Sequence, residues 1–226
     1  MDKIIVNTAG MLTAKISAFN KLSKHIDTVA IGSSHGDYGF DPAFIPHSFN
    51  FCLASQDLKH SLYLYKWLIS NAILKNIVIF YSIFSPGFLL EKTNEKLRCV
   101  AYKKILHLDL VYDSDIENNF NKYDLQINSD ADGNGFIKSN RRHFIKEDFG
   151  AERRAASHIK HAERGGQDEY LYQITKIASE LKQRIVVVIP PARSDYRSFC
   201  QQTAEMIHNN LTVGLKTSGL TKTYVN

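Results

Sequence analysis

Apolar and polar positions along the 226-residue chain change period several times, and those changes mark its elements. Residues 11–24 carry a weak helical stripe of Leu12, Ile16, Phe19 and Leu22. Thr28 to Ile31 is a short apolar run that stops at Gly32-Ser33-Ser34-His35-Gly36, and Ser48 to Leu53 is a second. From Asp57 the period lengthens. Leu58, Leu62, Tyr65, Leu68 and Ile69 then share one face of an amphipathic helix. Ile77 to Tyr81 reads as a strand buried on both faces, and Asn94 to His107 as a further helix. Residues 109–140 are rich in Asp, Asn and Ser and predict a loop-rich insertion. Helical character returns over 150–182, broken at Gly165-Gly166, with Tyr170, Ile174, Ile177 and Leu181 on one stripe. Arg184 to Ile189 is the clearest strand, ended by Pro190-Pro191. Ser194 or Asp195 caps a last helix to about His208, and 211–226 reads as an atypical tail.

Strands that are apolar throughout, alternating with helices, predict a parallel sheet covered on both faces, a three-layer α/β/α sandwich in one domain over 1–226. Ligands of such sheets gather at the carboxyl ends of the strands. The informative segments are therefore 32–38, 54–57, 82–87 and 190–197.

Composition narrows the classes. With 44% hydrophobic and 23% charged residues the chain can build a core, which excludes a disordered tail, a collagen-like fibre or a disulfide-stapled miniprotein. Cys52, Cys99 and Cys200 have no Cys-x-x-Cys spacing and read as reduced thiols, with no metal site among them. The most apolar stretch, 77–90, is shorter than the roughly 20 residues of a spanning helix and is broken at Pro86-Gly87. No secretory leader is evident, so a cytoplasmic protein is expected.

The net charge of +5 is concentrated between Lys138 and Arg164, where eight Lys and Arg face four acids. Arg141, Arg142, Arg153 and Arg154 are its candidate anion-binding residues, and His143, His158 and His161 lie in the same stretch. The competing reading is a solvated, partly ion-paired helix. No nucleic-acid motif accompanies the charge, so a nucleic-acid partner is not expected. A second motif, Asp130 to Ile137, matches the opening of a calcium loop, but its twelfth position is Arg141 rather than Glu. It reads as an Asx/Gly turn, with no metal expected.

The Gly-Ser-Ser-His-Gly turn carries the most chemistry. Small residues allow a sharp turn, a serine there can act as a nucleophile if a base serves it, and turn N–H groups can stabilise an oxyanion. Helix capping by a serine is the plainer alternative. The stretch Val29 to Pro42, with Ser48 to Gln56, resembles the opening of an SGNH (GDSL-type) hydrolase-like protein. More closely, it resembles the variants encoded among bacterial surface-polysaccharide biosynthesis genes. Ile185 to Pro191 followed by Tyr196 resembles the penultimate strand of those variants.

That resemblance implies a flavodoxin-like strand order, with Ser34 at the nucleophile position and Ser33 in place of an aspartate. It implies an oxyanion hole from Ser34 and Ser55, with Ser82 or Ser85 standing where the family has Gly-x-Asn. The family's C-terminal Asp-x-x-His base is missing. The only such spacing, Asp57 to His60, falls elsewhere, and 209–226 contain no Asp, Glu or His. A diverged or truncated relative is one reading of that gap, and a site completed by a partner is another. The candidate substitutes for the base are His35, whose adjacency to Ser34 on a turn would point the two side chains apart, and His143 and His158, which also read as solvated surface histidines.

The function implied is an O-acetyltransferase or esterase acting on a surface polysaccharide or its sugar precursor. It needs no cofactor beyond an acyl donor such as acetyl-CoA for a transferase. A non-catalytic sugar-binding or assembly protein of the same fold, its site decayed, is the alternative, and an anion- or nucleic-acid-binding protein using 138–164 is the second.

Overall fold

The computed structural model describes residues 4–6, 8–108, 110–112, 116–117, 123–125, 133–136 and 150–217. Its main sheet contains β2 (Thr28–Gly32), β3 (Ser48–Asn50), β4 (Asn76–Phe80) and β6 (Arg184–Val188). All pairings are parallel, in the order β3-β2-β4-β6. Counted along the chain this is 2-1-3-4, the beginning of the flavodoxin-like order. Helices α1 (Thr8–Leu22), α2 (Ser34–Gly39), α3 (Leu58–Asn71), α4 (Arg98–Leu106), α5 (Ala151–Arg164), α6 (Asp168–Glu180) and α7 (Ser194–Thr217) flank it in a three-layer α/β/α sandwich.

The strands are apolar throughout because both faces are covered. Val29, Ile31, Ile77, Ile79, Ile185 and Val187 join the main core with α1, α3, α4, α6 and the end of α7. Ala30, Val78 and Phe80, one residue out of phase, face a smaller cluster with Phe40 and Cys52. Beyond Asn50 the pairing continues as two bonds, from Phe51 N–H to Ala30 O and from Leu53 N–H to Gly32 O. The second apolar run therefore hugs β2 to its end.

Helix boundaries follow local chemistry. Asp57 caps α3 by accepting the N–H of His60 at 2.8 Å. His107 ends α4 in the left-handed region, and Gly165 ends α5.

Three expectations need correction. Residues 4–6 and 123–125 form β1 and β5, a separate two-stranded parallel pair inside what reads as a terminus and a loop. Three-residue strands are too short for a period to declare itself. The last helix runs to Thr217, well past His208, with a non-helical kink at Cys200. Residues 94–97 are turns, so α4 begins only at Arg98. Of the calcium-like loop, only 133–136 are described. There Asn134 O accepts the N–H of Asn50, and Gly135 packs on the Phe49 ring along the edge of β3.

Candidate functional site

The chain leaves β2 toward β3 on one side and returns to β4 on the other, so the order reverses between β2 and β4. At such a switch point the loops part and open a crevice at the strands' carboxyl ends. Gly32 to His35 leaves β2 there, and Tyr81 to Ser85 leaves β4.

The sharp exit depends on two glycines. Gly32 has φ +137°, and a Cβ on it would lie 2.7 Å from the carbonyl oxygen of Phe80. A Cβ on Gly36 would meet Cys52 Sγ at 2.3 Å and the Phe80 ring at 2.6 Å. Ser33 precedes α2 with extended backbone and makes no side-chain cap bond; its buried Oγ has no partner. Ser34 is the first residue of α2 and half-buried.

A buried ion pair fixes α2 from below. Lys15 Nζ donates to Asp37 Oδ1 and to the carbonyl of Cys52, each at 2.6 Å. Burial pushes the Asp37 carboxyl above its ordinary range, opposed by Lys15. Burial also raises the Cys52 thiol, which makes it a poor nucleophile.

The crevice opens into a cleft of about 850 Å³, walled by His35, Ser82, Phe84, Arg154, His158 and Tyr196, among others. His35 Nδ1 lies 3.0 Å from Ser82 Oγ, a bond that bridges the exits of β2 and β4. Across the cleft His158 Nδ1 lies 2.7 Å from the Tyr196 hydroxyl, joining α5 to α7. Enclosure by the cleft walls, and then the charge of Arg154, lowers the pKa of His35, although the ring keeps an open face to solvent. Burial, with Arg154 again adding, lowers His158 to about 4. An imidazole held neutral near pH 7 can accept a proton.

The residues singled out from the sequence distribute unevenly. His35, His158 and Arg154 line the cleft, and Ser34 sits at its β2 corner without being part of its wall. Histidine 158 is thus not the surface residue its surroundings in sequence suggest. Ser55 has φ 60° and donates its hydroxyl to Glu95, on the β3 side of β2, away from β4. Ser85 accepts the N–H of Ser82 at 2.8 Å and donates its own N–H to Ser82 O at 2.9 Å. Its N–H is thus taken up within that turn, where its hydroxyl acts as an acceptor. Arg153 is exposed beside Gly150 and is not part of the cleft wall. Arg141, Arg142 and His143 lie outside the described residues. Ser82 reads from the sequence only as a substitute donor, whereas in the fold it pairs with His35. The signal was positional, since 82 directly follows the third apolar run.

Asp57 and His60 also form a built unit. Asp57 Oδ1 accepts from His60 Nδ1 at 2.6 Å, and His60 Nε2 lies 2.9 Å from the Tyr112 hydroxyl, all three residues buried. The His60 ring packs between Tyr102 and Tyr112, and none of these residues belongs to the cleft wall. This unit ties the start of α3 to the segment around Tyr112, apart from the cleft.

Among the described residues no helix is long and apolar enough to cross a membrane. No family model, no curated protein and no solved structure matches this chain.

Proposed function

We propose that the chain is an SGNH-like acyl-ester enzyme, an O-acetyltransferase or esterase for a surface polysaccharide or its sugar precursor. Ser34 is the nucleophile, and the cleft beside it receives the substrate. Attack of Ser34 Oγ on the acyl carbonyl forms an acyl-serine and releases the alcohol or thiol. A sugar hydroxyl or water then takes the acyl group.

The observation that carries this reading is the His35–Ser82 bond at the switch point. It supports a neutral imidazole beside Ser34 in the absence of the family's C-terminal base. Hydrolysis of p-nitrophenyl acetate tests it. Turnover above the buffer rate that disappears in a folded Ser34→Ala variant is expected. Equal turnover in that variant would remove Ser34 from the mechanism.

A second reading makes Ser82 the acylated residue, favoured by its direct contact with His35. It predicts that Ser82→Ala, and not Ser34→Ala, silences the enzyme. If a folded protein shows no turnover at all, the site is one that binds sugar without chemistry.

A further inference from the structure

The cleft lining carries three arginines, and two of them have no carboxylate partner among the described residues. Arg154 comes from α5, and Arg193 and Arg197 from the start of α7 and the residue before it. Asp195 pairs with Arg193. Glu205, the other acid of the cleft wall, accepts a bond from Gln201 Nε2 at 2.9 Å. Among the described residues no carboxylate pairs with Arg154 or Arg197.

Arg154 lines the cleft together with His35, His158 and Tyr196. These belong to both sides of the opening. The rest of the wall differs in kind: Ile83, Phe84, Ile189, Pro190 and Pro191 present carbon. A lining that combines cations with an apolar surface suits a molecule that itself carries an anion and a carbon-rich part. The cleft's volume, about 850 Å³, is in the range of small-molecule sites.

We infer that the cleft binds an organic phosphate, with Arg154 and Arg197 on the phosphate oxygens and the Phe84–Pro190 wall against the organic part. A guanidinium presents paired N–H donors that match two phosphate oxygens, which a lysine cannot do. The inference rests on the reading of this cleft as the substrate site and names the class of substrate. Two sources share that chemistry. One is the nucleoside diphosphate of an activated sugar, and the other is the phosphorylated nucleotide of a coenzyme A thioester.

Calorimetric titration of the full chain carrying Ser34→Ala, with UDP, coenzyme A and inorganic pyrophosphate in turn, tests this without turnover. Saturable binding of UDP or coenzyme A is expected, tighter than that of pyrophosphate. Arg154→Gln should weaken it about tenfold or more. Lys160→Gln, at an exposed position of the same helix outside the cleft wall, should leave it unchanged. Preference for UDP identifies the sugar precursor as the source, and preference for coenzyme A the acyl donor. Failure of both to bind, binding indifferent to Arg154→Gln, or pyrophosphate binding as tightly as either would overturn the inference. The enzymatic reading fails separately, on absence of serine acylation in the wild-type chain, whatever the titration gives.

Discussion

Lys15 Nζ lies 2.6 Å from the carboxylate of Asp37, with both side chains buried, and so ties α1 to the short helix that begins with Ser34. Removing one partner of a buried pair leaves an uncompensated charge, which typically costs 3–5 kcal/mol, whereas apolar replacement of both is often neutral. Lys15→Ala is therefore expected to lose about 3–5 kcal/mol in urea unfolding. Lys15→Met combined with Asp37→Leu should recover most of it. Two additive single effects would show that the pair is not coupled.

Gly36→Ala should destabilise the fold by about 1–3 kcal/mol, because the new methyl would overlap Cys52 Sγ and the Phe80 ring. Gly39→Ala in the same helix meets nothing within 4 Å and should be close to neutral. Thermal melts of the two variants check this. A Gly36→Ala chain that melts with the wild type would mean that α2 stands off the sheet.

The acid limb of the rate profile should lie below the ordinary histidine value of 6.5, because His35 has a lowered pKa and stays neutral further into acid. Arg154→Gln removes a cation that disfavours protonation, so the limb should move to higher pH. The pH dependence of p-nitrophenyl acetate hydrolysis by both proteins measures the shift. A limb that stays in place, or moves to lower pH, would remove Arg154 as a cause.

His158 affects stability in the same pH range. Its folded pKa of about 4 lies below the ordinary 6.5, so its contribution is complete above 6.5 and is lost as pH falls toward 4. His158→Gln should flatten the decline in melting temperature between those limits. An unchanged slope would show that His158 titrates normally.

Asp57 acts lower on the scale. Burial raises its pKa, but His60 and the N–H groups of His60 and Leu90 outweigh that, leaving the carboxyl below its ordinary 3.8. Its stabilisation is present above 3.8 and is lost as pH falls through the lowered value. Tyr112→Phe strands His60 Nε2 in a buried site and should cost about 1–3 kcal/mol at neutral pH. Guanidinium unfolding of that variant gives the value directly. No loss would mean that another donor reaches His60.

The main sheet was legible because continuous apolar runs such as Ile77–Phe80 and Ile185–Val188 announce strands covered on both faces. Gly32 and Gly36 marked the turn because no other residue fits against Phe80. The β1–β5 pair was hidden because three residues carry no period. The His35–Ser82 bond was hidden because it joins positions 47 residues apart through the order of strands. Sequence neighbours such as Ser34 and His35 reveal nothing of which side chain turns toward β4. Lys15 is the clearest case of pattern misleading: it sits in an amphipathic stripe as a polar residue, yet is fully buried because Asp37 and Cys52 O receive it.

The most direct test of an activated serine is intact-mass analysis after treatment with a fluorophosphonate probe, on the wild type, Ser34→Ala and Ser82→Ala. The account predicts a single adduct on the wild type and on Ser82→Ala, and none on Ser34→Ala. An adduct lost only in Ser82→Ala would move the nucleophile to β4. A folded wild type that takes up no probe would contradict an acyl-serine enzyme altogether.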